Sequence, residues 1–197
     1  ENFRKKGANA FCITNGFDVD ASTTLSMTEE NSKTLPLSNS TTKFTLSYIG
    51  VLEQLRNPEI LWETLNDLVQ ENADFKNDFQ LKFVGRLDDK ILQKIESSPL
   101  KNNLTNLGYQ THDVALKHMQ DSSVLLMTNF PQESSKGIIP GKIFEYLATG
   151  KTILSFGPKD ADVEKILNET KAGKHFGYDE KENLKKFILE SYENWKS

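Results

Sequence analysis

Short apolar runs, each closed by a glycine or a polar cluster, alternate along most of the chain with longer stretches whose apolar residues recur every three or four positions. The first pattern predicts strands and the second amphipathic helices. FTLSYI at 44–49 is a strand ended by Gly50, and FQLKFV at 79–84 is a strand ended by Gly85. Residues 103–107 form a short strand before Gly108, and SVLLM at 123–127 is almost wholly apolar, as expected of a strand covered on both faces. Residues 152–156 form a further strand and 173–176 a weak last one. Pro58 suits the first turn of a helix with Asn57 as its cap, followed by a stripe of Ile60, Leu61, Leu65, Leu68 and Val69. Asp88 and Asp89 cap a helix bearing Ile91, Leu92 and Ile95, and Thr111 caps one that runs through Val114, Leu116 and Met119. Two more helices are predicted, from about 160 to 169 and from 182 to 195.

This alternation, repeated about six times, predicts an α/β domain: a Rossmann-like, doubly wound parallel sheet of about six strands with helices on both faces. The domain should occupy residues 43–197. Before it, residues 8–14 read as a short strand closed by the Asn15-Gly16 turn, and 21–42 is a Ser-, Thr- and Asn-rich linker. The opening ENFRKKGANAFCITNG leads directly into that strand without an initiator methionine, as a fragment of a preceding domain would.

Composition narrows the function classes. With 37% hydrophobic and 26% charged residues and a net charge of −4, the chain carries no basic stripe for nucleic acid. No apolar run reaches the roughly 20 residues of a membrane span. The single cysteine, Cys12, excludes an internal disulfide and a cysteine-based zinc site, and fits a reducing, cytoplasmic setting. The dinucleotide fingerprint, the P-loop and the nucleophile elbow are all absent. His112, His118 and His175 show no metal spacing; His118, inside a helix, reads as a surface residue, and His175 has no visible partner.

The stretch with most chemistry is GIIPGKIFEYLATG, residues 137–150. A glycine-bearing loop opens a helix whose first turns carry Lys142 and Glu145. Gly141 leaves room for a ligand against the backbone, and the N–H groups and dipole at the helix start suit an anion such as phosphate. A lone carboxylate beside them can accept from two sugar hydroxyls. An ordinary loop–helix junction has the same spacing. Arg56, six residues after Gly50, would face a phosphate bound there, and Arg86 directly follows Gly85. Either is equally compatible with a surface arginine. In a doubly wound sheet ligands bind at the carboxyl ends of the strands. Gly50, Gly85 and Gly108 line that edge, and His112 and Asn129 follow strands onto it.

Taken together these segments resemble the carboxyl-terminal, donor-binding half of GT-B glycosyltransferases, most closely family 4 (glycosyl transferases group 1). ITNGFD at 13–18 is similar to the family's interdomain segment. YIGVLEQLRNPEIL at 48–61 is similar to its first carboxyl-domain strand, glycine, phosphate-facing cation and helix. LKFVGR at 81–86, NLGYQTHDVALKHMQDSSVLLM at 106–127 and PGKIFEYLATGKTIL at 140–154 follow in family order. The resemblance implies that Glu145 is the second glutamate of the E-x7-E region and holds the donor ribose. Gly137, Ile138, Ile139, Pro140, Gly141 and Lys142 would meet the diphosphate and sugar, with Gly50 and Gly85 beside them. Arg56 and Lys142 would stabilise the departing diphosphate. Arg86, Tyr109 and His112 would contact the nucleobase. Gly137 stands where many members have the first glutamate.

The resemblance further implies a retaining transfer of a hexosyl group from a nucleotide diphosphate sugar, without a metal, in cell-surface polysaccharide or glycan synthesis. The acceptor would be bound by a missing N-terminal domain, through which the protein would lie at the inner membrane face, and this fragment would be inactive alone. A nucleotide-sugar epimerase of the same architecture and a non-catalytic nucleotide-binding α/β module are the alternatives.

Overall fold

The computed structural model of the chain describes residues 43–197. The strand expected at 8–14, Cys12, the linker at 21–42 and the boundary between the two expected units lie outside the described residues.

Six strands form one sheet: β1 (Phe44–Ile49), β2 (Phe79–Val84), β3 (Leu104–Asn106), β4 (Val124–Thr128), β5 (Thr152–Phe156) and β6 (Gly173–Phe176). All neighbours are parallel, in the order β3-β2-β1-β4-β5-β6. The helices that connect them are α1 (Glu59–Glu71), α2 (Ala73–Asp78), α3 (Asp89–Glu96), α4 (His112–Gln120), α5 (Lys142–Thr149), α6 (Asp162–Thr170) and α7 (Lys181–Lys196). The fold class expected from the alternation is the one observed. The strand order reverses direction between β1 and β4, and there the connections leave to opposite sides and open a crevice at the carboxyl edge.

Each face of the sheet has its own core. Phe44, Leu46 and Tyr48 of β1 point toward α1, α2, α3 and α7, with Leu61, Trp62, Phe75, Ile95, Ile188 and Tyr192. Ile49, Val84, Leu125, Met127 and Ile153 point toward α4, α5 and α6, with Met119, Ile143, Tyr146, Val163 and Leu167. The alternation is not strictly apolar. Thr45 and Ser47 of β1 are also buried, and they are satisfied locally: Ser123 Oγ accepts from the Thr45 N–H at 3.1 Å, and the Ser47 and Ser122 hydroxyls pair at 2.7 Å. At the amino end of β1 an aromatic cluster around Phe44 ties α2 and α7 to the sheet. Phe75 stacks on Phe79 at 4.9 Å, and Tyr192 meets Phe75 edge-on at 5.2 Å.

Some local expectations are corrected. Asn57 does not cap α1: its Oδ1 accepts from Trp62 Nε1 at 2.6 Å, and Pro58 holds the cap position with no side-chain bond. The buried indole needs a partner, and that need outweighs capping. Thr111 occupies the cap position of α4 but makes no capping hydrogen bond, whereas Asp88 caps α3 as expected, its Oδ1 accepting from the Lys90 N–H at 2.9 Å. Helix α2 has no counterpart in the sequence pattern. Its six residues are too few to show a period, and Asn72, whose Oδ1 accepts from the Phe75 N–H at 3.0 Å, is its only signal.

The strand-ending glycines have backbone reasons to be there. Gly50 and Gly85 both have φ of +121°, and Gly108 has +64°. Gly50 N–H donates to the Val84 carbonyl and Gly85 N–H to the Gly108 carbonyl, each at 2.7 Å. Beyond this offset the chains pair once more at Leu52 and Leu87. A Cβ on Gly85 would overlap the Gly50 carbonyl oxygen. Gly85→Ala is therefore expected to destabilise the chain by about 3 kcal/mol or more, from left-handed strain plus the overlap. Gly141→Ala, at a right-handed position where a Cβ meets nothing within 4 Å, should leave stability within about 1 kcal/mol. Urea unfolding midpoints of the two variants check this.

Candidate functional site

The crevice between the ends of β1 and β4 is held by a tyrosine. β1 and β4 pair over three residues, Leu46–Val124 to Tyr48–Leu126. At the next position the Tyr146 hydroxyl stands between the strands, accepting from the Ile49 N–H at 3.3 Å and donating to the Leu126 carbonyl at 3.3 Å. Tyr146 is fully buried, and its burial drives the phenol pKa far above its ordinary value. It remains a neutral donor. Because Tyr146 lies in the second turn of α5, this bond fixes the start of α5 over the crevice.

Lys142 is the first residue of α5. Its ammonium donates to the Ile49 carbonyl at 3.0 Å and to the Tyr48 hydroxyl at 3.4 Å, and lies over the Tyr48 ring at 4.4 Å. It stands 3.0 Å from where a Cβ of Gly50 would be, so the missing side chain of Gly50 is what admits it. Arg56 ends a 3₁₀ turn, Gln54–Arg56, in the loop after β1. Its guanidinium lies 5.4 Å from the centre of the Phe130 ring, and Nη2 donates to the Val51 carbonyl at 3.1 Å and to Glu53 at 3.2 Å. The Tyr48 hydroxyl donates to the same Val51 carbonyl at 2.9 Å. Val51 thus links the Arg56 and Lys142 arms of the site. Arg56 Nε is shielded from solvent and has no partner among the described residues.

The loop from β4 to α5 is folded on buried Asn129. Its Nδ2 donates to the Ile138 carbonyl at 3.0 Å, its Oδ1 accepts from the Phe130 N–H at 2.9 Å, and its own carbonyl accepts from the Tyr178 hydroxyl at 2.5 Å. At the helix start the N–H groups of Ile143 and Phe144 are taken by the Pro140 and Gly141 carbonyls at 3.0 and 3.2 Å. The N–H groups of Gly137, Ile139, Gly141 and Lys142 donate to no protein acceptor among the described residues. The free donors expected at the helix start are thus those of the loop and of Lys142, not of the next turn. Glu145 is half-buried, about 60° round the helix from Lys142, and makes no ion pair or hydrogen bond among the described residues.

The sequence candidates separate into two groups. Gly50, Gly85, Lys142 and Arg56 are joined by contacts at the end of β1, and the 137–141 loop and Glu145 flank Lys142 along the chain at the start of α5. Arg86, Tyr109 and His112 are exposed along the same edge, Tyr109 at 88%, and among the described residues their side chains make no hydrogen bond or ion pair to that group. Arg86 instead borders a cavity of about 450 Å³ between the loops after β1 and β2, lined also by Glu53, Leu55, Asp88 and Lys90. The exposed large hydrophobic residues among those described, Val51, Leu55, Leu107, Tyr109 and Ile138, all follow the carboxyl ends of strands. Tyr48, Phe130, Tyr146 and Tyr178 were missed as site residues. Each is an aromatic residue near a strand end or helix start, where a tyrosine hydroxyl reaches polar groups or, at Phe130, the ring face meets Arg56, but in sequence it is indistinguishable from core.

Two histidines also differ from expectation. His175, expected to lack a partner, is buried at 8% exposure. Its Nε2 donates to the Pro158 carbonyl at 3.1 Å, which leaves Nδ1 to accept from the Ser155 hydroxyl at 3.0 Å. Burial lowers its pKa. His118, expected at the surface, is half-buried, and its pKa is lowered by burial and by the nearby Lys82. Among the described residues no three His, Cys, Asp or Glu side chains converge as metal ligands, and no helix is long and apolar enough to cross a membrane.

A six-stranded parallel sheet in this order is similar in fold to solved GT-B glycosyltransferases. Similar solved structures include a TarM variant from S. aureus in complex with UDP, with 18% identity, a TM-score of 0.58, and coverage of 78% of this chain and 29% of that one. WaaG, a glycosyltransferase involved in lipopolysaccharide biosynthesis, is 15% identical with a TM-score of 0.59, over 77% of this chain and 38% of that one. HepE from Anabaena, in complex with UDP and glucose, is 16% identical with a TM-score of 0.56, over 79% and 40%. The chain thus matches between 29% and 40% of the length of these proteins. No family model and no curated protein matches the sequence.

Two outcomes are expected. Tyr146→Phe leaves the buried Ile49 N–H without its acceptor and should cost about 1–3 kcal/mol in urea unfolding. His175 has a lower pKa folded than unfolded, so below pH 6.5 the unfolded chain binds the proton first and stability falls. Melting temperature should drop between pH 7.5 and pH 5.5, and the drop should be smaller in His175→Gln, which can still donate to the Pro158 carbonyl.

Proposed function

We propose that this chain is the donor-binding half of a glycosyltransferase that transfers a sugar from a nucleotide diphosphate sugar. The observation that carries this reading is the chain of hydrogen bonds that joins Arg56 to Lys142 through the Val51 carbonyl and the Tyr48 hydroxyl, with the free N–H groups of the 137–141 loop and of Lys142 at the start of α5. Fixed cations and backbone donors aimed at one place stabilise charge as it grows on a departing diphosphate, and being fixed they need no reorganisation during the reaction. The same groups bind the diphosphate before transfer. Glu145, with both carboxylate oxygens unengaged, accepts from the ribose hydroxyls. The aromatic and aliphatic side chains exposed along the edge, Tyr109 and Leu107 among them, offer a surface for the base.

In this reading the donor sugar lies over Gly137–Pro140, transfer is retaining, as the resemblance to family 4 suggests, and no metal is required. The acceptor enters from a second domain across the crevice, in a protein longer than this chain. The lengths of TarM, WaaG and HepE support that arrangement. The role of WaaG supports a cell-surface polysaccharide as one class of acceptor, made on the cytoplasmic side of the membrane.

Calorimetric titration with UDP, GDP and CDP tests the site. One of the three is expected to bind. Arg56→Ala and Lys142→Ala should each weaken it at least tenfold, about 1.4 kcal/mol or more, as expected for charge-assisted bonds to phosphate. Glu145→Ala should weaken binding of the nucleotide while leaving inorganic pyrophosphate unaffected. The 197-residue chain alone should show no steady transfer to an acceptor. No binding of any of the three nucleotides would favour a non-catalytic module with another ligand.

A further inference from the structure

The cation after β1 is already occupied by an anion from its own chain. Glu53 precedes and Arg56 ends a single 3₁₀ turn, in which residues three apart eclipse one another, and their side chains meet at 3.2 Å. We infer that Glu53 is a built-in stand-in for the ligand phosphate, which holds the Arg56 guanidinium while the site is empty and must be displaced when a nucleotide diphosphate binds. The inference rests on the donor-site reading and adds a residue that sets its affinity and selectivity.

Three observations favour a displaceable stand-in over an orienting residue. First, Arg56 is positioned without Glu53: Nη2 also donates to the Val51 carbonyl, and the guanidinium lies over Phe130. Second, Glu53 is the loose partner. Its side chain is 56% exposed against 21% for Arg56, and it borders the cavity that Arg86 lines. A carboxylate so placed can swing into water at little cost. Third, the pairing is incomplete. Nε and Nη2 form one edge of the guanidinium fork and suit two oxygens of one anion. Glu53 engages only Nη2, and Nε has no partner. An anion that takes both positions, and reaches Lys142 and the free N–H groups of the 137–141 loop as well, replaces Glu53 with more bonds than it breaks. A small anion that touches Arg56 alone does not. The stand-in therefore selects for a diphosphate against inorganic phosphate.

The test is calorimetric titration of the wild-type chain, Glu53→Gln, Arg56→Ala and the double variant with UDP, GDP and CDP, with the matching nucleosides and with inorganic phosphate. Removal of the competing charge should tighten binding of the preferred nucleotide diphosphate roughly three- to tenfold. The nucleoside should be unaffected, inorganic phosphate should gain at least as much, and the gain should vanish in the Arg56→Ala background. If Glu53→Gln binds the diphosphate equally or more weakly, Glu53 orients Arg56 and the inference fails while the donor site stands. If neither the wild type nor Glu53→Gln binds any of the three diphosphates, the donor-site reading fails and the inference with it. Glu53 is exposed, so Glu53→Gln should melt with the wild type, and a shared melting temperature keeps a changed affinity from being read as misfolding.

Discussion

The site depends on one buried hydroxyl. A doubly wound sheet must part its strands where its order reverses, and the backbone groups left at that point need partners in the absence of water. Here the Tyr146 phenol supplies both, taking the Ile49 N–H and giving to the Leu126 carbonyl. The bond satisfies the two strands and also pins α5, so that Lys142, one turn earlier on the same helix, is delivered over the end of β1. Burial keeps the phenol neutral over the working pH range, and the tie does not titrate.

From this tie the electrostatics of the crevice follow by short steps. Lys142 can rest on the Ile49 carbonyl and the Tyr48 ring because Gly50 has no side chain. The Tyr48 hydroxyl and Arg56 meet at the Val51 carbonyl. Asn129 folds the opposing loop so that Phe130 lies against Arg56 and several N–H groups are left without acceptors among the described residues. None of these groups is held by an extended network of charged residues. They are held by main-chain carbonyls, which do not change charge and which the sheet itself positions. Among the described residues the charged partner of Arg56 is Glu53, whose side chain is 56% exposed, and that exposure is what the proposed exchange with a ligand rests on.

Much of this was legible residue by residue. The six strands could be read because parallel strands buried on both faces are apolar runs, and FTLSYI, FQLKFV and SVLLM stand out against their surroundings. The glycines at 50, 85 and 108 marked strand ends, although their main reason is positive φ and, for Gly85, the crowding of the Gly50 carbonyl, not approach to a ligand. Arg56, Lys142 and Glu145 were identifiable from charge and position after a strand or at a helix start. By contrast, α2 is too short to show a period, and Asn57 looked like a cap because a sequence does not show that the Trp62 indole will be buried within its reach. His175 looked idle because Ser155 and Pro158 are brought to it by the pairing of β5 with β6, across about twenty residues of chain.

The sequence by itself therefore determined the class of fold and the edge of the sheet on which chemistry could take place. Both follow from local periodicity and from residues that act on their own neighbours, such as glycine at a turn or a cation beside a loop. Only the tertiary structure decided which candidates share a site. Contact across the switch point depends on strand order, which periodicity does not encode, and on aromatic residues whose rings pack as core while their hydroxyls organise the polar groups around them. Strand order brought Lys142 to Gly50 and Phe130 to Arg56, and left Arg86, Tyr109 and His112 exposed along the same edge.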